Sequence, residues 1–296
     1  MSLPVRAMRE IYRRELLPTR TLWWLTAVGM RDFFRYLEKF LAKPLLDAGV
    51  PDCRALFARL GARMFARRWE RLRELPTARP LGSLPSDERA LALTMAALYR
   101  IEHAPSLRWI FDGVGGAPRG GEHLRAAWLL AHLGVQARWE EMAGHMGELL
   151  IVLTEELPPV LPHARKLLGE MCFTMGVRTA ERAKRVFAIP DDVADPPRAA
   201  MEILRMSEYV FRVNPEHWSE SDRQSGFLEG TACPWYSRPG WNGGHCGIFG
   251  QFQSGISSVF GLRYHLTKTI PKHGGSTCRI DLKPIPLRTR ADKPAE

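Results

Sequence analysis

The apolar residues of this chain change their spacing along its length, and that change limits the class of fold it can adopt. Residues 5–75 read as helices. Phe33, Phe34, Tyr36, Leu37, Phe40 and Leu41 form an amphipathic segment, which Pro44 is expected to end or kink. Leu56, Leu60 and Met64 make an i, i+4 apolar row that Trp69 and Leu72 extend. Beyond Gly226 glycine and β-prone residues take over. Leu262 to Ile270 and Thr277 to Leu282 read as strands flanking a turn at Pro271-Lys272-His273-Gly274-Gly275-Ser276. Helices followed by a small antiparallel sheet predict an α+β fold.

Breaks in the pattern divide the chain. Pro76 to Pro85 is rich in helix breakers and reads as a linker, and Ser86 is a candidate N-cap for the next helix. Asp112 to Gly121 makes a second break, before helices at about 122–134 and 136–156. Its glycines match neither a Walker loop nor a dinucleotide fingerprint, so it reads as a helix connection. After Pro158-Pro159 two helices are expected over about 163–187, a third from Pro197 to Phe211, and a fourth over about 244–261 that packs on the sheet. The organisation that follows is a helical region over 1–160, an α+β domain over 161–285 and a disordered tail over 286–296.

The chain has 296 residues, 45% hydrophobic and 25% charged, which places it among globular proteins. No apolar run approaches the roughly 18–20 residues that span a bilayer. The run Trp23 to Met30 behind Arg13-Arg14 is similar to the start of a twin-arginine signal. It is too short, however, and no small-x-small cleavage site follows; the expected location is the cytoplasm. Of the net charge of +10, most lies in residues 1–90, with 18 Lys and Arg against 10 Asp and Glu. Arg59, Arg63, Arg67 and Arg71 recur at i, i+4 on one helix face. A phosphate-binding surface would use such a stripe, but no nucleic-acid-binding signature accompanies it, and a solvated face is the simpler account. Glu141 and His145, with Glu102-His103 and Glu122-His123, lack the repeated Glu-x-x-His of a di-iron bundle and read as surface polar residues.

Three of the five cysteines lie in one glycine-rich stretch. Cys233 follows Gly230-Thr231-Ala232, Cys246 follows Gly243-Gly244-His245, and Cys278 follows Gly274-Gly275-Ser276-Thr277. Five is an odd number in a long chain and does not resemble a secreted disulfide framework. Cys53 and Cys172 sit in helix-like segments and read as core thiols. For the other three, three chemistries compete. One thiol is a nucleophile activated by a histidine, with His245 serving Cys233 or Cys278 across the fold. Alternatively, Cys233, Cys246 and Cys278 ligate zinc or an iron–sulfur cluster, with His245 as a fourth ligand, although the spacing contains no C-x2-C knuckle. Otherwise the thiols are small packing residues or line a ligand pocket.

The stretch from about Leu161 to Pro284 resembles the L-2-amino-thiazoline-4-carboxylic acid hydrolase family and, more distantly, the 4-vinyl reductase small-molecule-binding domain. The resemblance rests on the helical lead-in, the pair Cys233-Pro234, Cys246 after a short insertion, and the closing run Gly274 to Leu282. Where those proteins commonly carry an acidic residue after the glycine, this chain has Gly275-Ser276, and Ser237 to Asn242 is an extra insertion.

The resemblance implies hydrolytic ring opening of a small C=N heterocycle. Cys233 would be nucleophile or metal ligand, His245 general acid/base, and Cys278 a second thiol. Arg238 or Arg279 would pair with a substrate carboxylate. Arg238 is favoured, because Arg279 and Cys278 alternate along one strand. Trp218, Trp235, Tyr236 and Trp241 would wall the pocket. The alternatives are a non-catalytic small-ligand-binding module and a three-cysteine iron–sulfur protein with desulfuration or redox activity. The partner expected is a small-molecule substrate or ligand, with homo-oligomerisation left open.

Overall fold

The computed structural model describes residues 3–73, 135–231 and 233–286. The linker at 76–85, the helix opened by Ser86, the glycine-rich connection at 112–121, the helix over 122–134, the pairs at 102–103 and 122–123 and the tail from 287 lie outside the described residues. Three helices open the chain: α1 (Leu3–Arg13), α2 (Thr19–Asp47) and α3 (Cys53–Arg73). Then come α4 (Val135–Glu156), α5 (Ala164–Phe187) and α6 (Pro196–Val210). The hairpin β1 (His217–Ser221) and β2 (Gly226–Gly230) leads through a loop to α7 (Gly243–Ser258). Strand β3 (Leu262–Lys268), the short helix α8 (Ile270–His273) and β4 (Cys278–Pro284) close the fold. The architecture is α+β, with helices first and a four-stranded antiparallel sheet last. No described helix is long and apolar enough to cross a membrane.

Helix α2 buries Leu22, Trp23, Met30, Phe34, Leu37 and Leu41, which recur at three, four and seven residues and form one stripe. Pro44 does not end it. The helix runs on to Asp47, with Pro44 inside its last turn. Helix α4 is different, because every residue from Glu141 to Thr154 is buried. A helix covered on all sides lies inside the protein, and α2, α3 and the loop after β2 pack around it. Glu141 and His145, expected at the surface, are therefore buried. The arginine stripe of α3 also turns toward α4. Arg59 lies 3.6 Å from Glu156, Arg63 lies 3.1 Å from Glu156 and 3.2 Å from Glu155, and Arg67 lies 2.7 Å from Glu148. The three pairs made by Arg59 and Arg63 leave the arginines more than half exposed, where such contacts contribute about 0–1 kcal/mol.

A single helix, α5, replaces the two expected over 163–187. It crosses α7 at glycines from both sides. A Cβ on Gly176 would collide with the Phe252 carbonyl, and one on Gly255 with the Phe173 carbonyl. Backbone therefore meets backbone at this crossing, and α7 is pressed between α5 and the sheet.

The sheet order is β1-β2-β4-β3, so β4 inserts between the hairpin and β3. Leu228 and Leu266 both face Ile280 in register, and Tyr264 faces Leu282. Side chains two apart share a face. Cys278, Ile280 and Leu282 therefore point toward α7, while Arg279 and Asp281 point away. The hairpin β1–β2 has no counterpart in the sequence reading. Two cores result: one joins α2, α3, α4 and the start of α5 to Trp235, Trp241 and Ile248, and so contains residues from both sides of position 160. The other lies between α5, α6 and the sheet.

Candidate functional site

Cys233, Cys246 and Cys278 come from three separate elements and line one cavity of about 60 Å³ between α6, α7 and the inner face of the sheet. Cys233 opens the loop after β2. Cys246, Phe249 and Gln253 form one face of α7, at spacings of three and four residues. Cys278 opens β4 on the same face as Ile280, which also lines the cavity.

The loop that carries Cys233 is seated on α4 through two glycines one turn apart. Trp235 lies over Gly147, where a Cβ would stand 2.6 Å from its Cδ1, and Arg238 occupies the space over Gly144. The Trp235 indole N–H donates to the Ala143 carbonyl at 2.8 Å. Its ring meets Phe249 edge-on at 4.6 Å and Trp241 at 5.4 Å. Trp235 and Trp241 line the cavity as well as anchoring the loop.

All three thiols are weak acids here. Burial pushes Cys233 up to about 12, and its neighbours Cys246 and Cys278 push the same way. Burial also raises Cys246, against a Trp241 N–H that donates to its sulfur at 3.3 Å. Burial likewise raises Cys278, whose sulfur accepts the Ile270 N–H at 3.4 Å. At neutral pH they are thiols rather than thiolates, the inert form of cysteine.

His245 is not brought to them. It is the third residue of α7, where its Nδ1 accepts the Asn242 N–H at 3.1 Å while the Asn242 side chain accepts the Gly244 N–H at 2.9 Å. That reciprocal arrangement is a capping box. Because Nδ1 is an acceptor, the ring proton sits on Nε2, which donates to Thr154 Oγ1 at 2.7 Å. Thr154 in turn donates to the Ile151 carbonyl at 3.0 Å. Burial first, and then the charge of Arg165, hold the imidazole below its usual range. The ring also stacks on Trp241 at 5.0 Å. Both nitrogens are thus occupied, Nδ1 in capping α7 and Nε2 in fastening it to α4.

Arg238 does not line the cavity either. Its Nη1 donates to Glu148 at 2.7 Å and its Nε to the Pro234 carbonyl at 3.0 Å. Glu148 also accepts from Arg67, whose other nitrogen donates to the Pro239 carbonyl. Arg279 stands over the Phe227 ring on the outer face of the sheet. Tyr236 is 41% exposed and Trp218, on the edge strand β1, 44%. Neither walls the cavity. As for a metal, no three His, Cys, Asp or Glu side chains among the described residues are placed to hold one. As placed, the side chains do not fit a zinc or iron–sulfur centre.

The opposite wall carries polar groups that spacing alone did not single out. The Tyr264 hydroxyl donates to Gln253 Oε1 at 2.6 Å, and Gln253 Nε2 donates to Glu208 Oε1 at 2.8 Å. Glu208 Oε2 accepts from Arg205 at 2.7 Å. Burial raises the Glu208 carboxyl against the pull of Arg205, and burial and the nearby Glu208 raise Tyr264 far above its usual value. A signal existed for Glu208 and Gln253. Glu208 stands where the apolar row Ala200, Met201, Leu204 would continue, and Gln253 lies between Phe249 and Ile256. Asn214 and Thr269 also line the cavity, and among the described residues no Lys, Arg or His does. Comparison with known proteins returns no match to any family model, curated protein or solved structure.

Proposed function

We propose that this protein is a small-molecule-binding module whose ligand sits in the three-thiol cavity. The observation that carries the reading is the composition of the wall. Protonated thiols, aromatic rings and aliphatic side chains make up most of the lining, Glu208 and Gln253 are paired with each other, and the cations and the histidine of the region are engaged elsewhere. Such a wall suits recognition of a polarisable, largely apolar body. A thiol hydrolase acting on an amino-thiazoline carboxylate draws less support. It needs a thiolate with a base in reach and a cation for the carboxylate, and Arg238 is already joined to Glu148. The volume corresponds to about four to six waters, so the ligand is a fragment of similar size. At a ceiling of about 1.5 kcal/mol per non-hydrogen atom its affinity is at best micromolar.

The test is the thermal midpoint of the whole chain against a panel of neutral and charged fragments of this size. Neutral fragments are expected to raise the midpoint by several degrees at a hundred times their dissociation constant, and Leu266→Phe, which fills the cavity, to abolish the effect. Turnover of a thiazoline or cyclic amidine that disappears in Cys233→Ala would replace this reading with a hydrolytic one.

A further inference from the structure

Thr269 stands at the head of α8, only 4% exposed, and its side-chain oxygen has no hydrogen-bond partner. A threonine in this position ordinarily turns its oxygen onto an N–H of the first helical turn, but here it makes no such bond. Pro271 has no N–H to offer, and the Ile270 N–H is taken by the sulfur of Cys278. The Thr269 N–H is itself accepted by His273 Nδ1 at 3.0 Å. The turn is closed without the hydroxyl, which is left buried in a residue that lines the cavity. Buried hydroxyls are costly to leave unpaired. One water would satisfy this one, but the space beside it is several times what a water needs.

We infer that the ligand is an uncharged molecule with one hydrogen-bonding atom, which the Thr269 hydroxyl holds while the thiols and Trp241 pack against its apolar body. This rests on the cavity being a binding site, as proposed above. Charge is disfavoured in either sign. Among the described residues an anion would meet no Lys, Arg or His in the wall, and a cation would have to draw Glu208 away from Arg205 and Gln253. The hydroxyl can donate or accept, so alcohols, carbonyls and neutral heteroaromatic nitrogens all belong to the class.

The experiment uses two flat rings of matching size, thiazole and thiophene, with acetate as the charged probe, titrated calorimetrically into the full chain. Thiazole, which differs from thiophene by one acceptor nitrogen, is expected to bind about fivefold to tenfold more tightly, the worth of one hydrogen bond. Thr269→Val should remove that preference without weakening thiophene, and Thr269→Ser should keep it. Because the hydroxyl has no partner to lose, Thr269→Val is expected to have a thermal midpoint at or above that of the natural protein. Equal binding of the two rings in both the natural protein and the valine variant would overturn the polar anchor while leaving the binding module standing. Acetate binding as tightly as thiazole would overturn the requirement for an uncharged ligand. If neither ring binds, or if Leu266→Phe leaves thiophene binding unchanged, the cavity reading itself fails.

Discussion

Glu148 and Glu208 are both buried glutamates paired with arginine, yet they stand in different kinds of surroundings. Glu148 lies between Arg67 of α3 and Arg238 of the Cys233 loop, each at 2.7 Å, with the loop packed down onto the glycines of α4. Glu208 is held by Arg205 and Gln253, but the chain it belongs to ends in open space among three thiols and a spare hydroxyl. In the first region the carboxylate and both arginines are spent on other parts of the protein. In the second, polar groups remain that the protein does not use. A close-packed, fully paired cluster holds elements together, whereas spare polarity beside a void is what a ligand can exploit.

The strongest way to break this contrast is to remove the shared carboxylate of the first region. Glu148→Ala leaves two arginines, one of them nearly buried, without their common partner. Breaking a buried pair from one side typically costs about 3–5 kcal/mol. Urea unfolding followed by tryptophan fluorescence should show a loss in that range, with Trp235 losing its fixed environment. A loss under about 1 kcal/mol would mean that the loop is held by packing alone.

A second test compares cysteines across the two regions. Cys172 is buried in the first core, and burial alone pushes its thiol up to about 12. Cys278 borders the cavity, and its sulfur already accepts an N–H. Cys172→Ser places a hydroxyl in close-packed apolar surroundings and should cost about 1–3 kcal/mol. Cys278→Ser keeps an acceptor for Ile270 and has free volume beside it, so a loss below about 1 kcal/mol is expected. Equal losses would mean that the wall of the cavity is as tightly packed as the core.

The order of elements was legible because it rests on local period. The α6, α7, β3 and β4 segments fell within a few residues of their sequence readings, since Gly, Pro and alternating apolar residues punctuate them. The convergence of Cys233, Cys246 and Cys278 was also anticipated. The hairpin was not, because His-Trp-Ser-Glu-Ser of β1 is exposed throughout and shows no alternation. The arginine stripe was read without its partners, which lie on α4 some eighty to a hundred residues further along. Glu141 and His145 looked like surface residues because nothing local shows that α4 is covered on every side. The role of His245 was obscured by its neighbour Cys246. Asn242 three residues before it is a capping signal, with histidine standing in for the usual glutamate or glutamine.

The smallest effect belongs to that histidine, whose role separates fastening from catalysis. Burial holds the His245 imidazole below the usual range, whereas in the unfolded chain it titrates near pH 6.5. Between those two values the unfolded state binds a proton that the folded state refuses, so stability is full above about pH 6.5 and falls as the pH drops below it. One proton limits the slope to about 1.4 kcal/mol per pH unit. The lowered His217 contributes in the same direction and supplies a background. His245→Gln offers an oxygen to the Asn242 N–H in the same capping geometry but does not titrate. Its stability at pH 8 should lie about 1 kcal/mol below that of the natural protein, the worth of the lost bond to Thr154, and its fall between pH 6.5 and 5 should be shallower. An unchanged slope would show that the imidazole is free to take up a proton in the folded state, as a general base must, and would return it to the list of catalytic candidates.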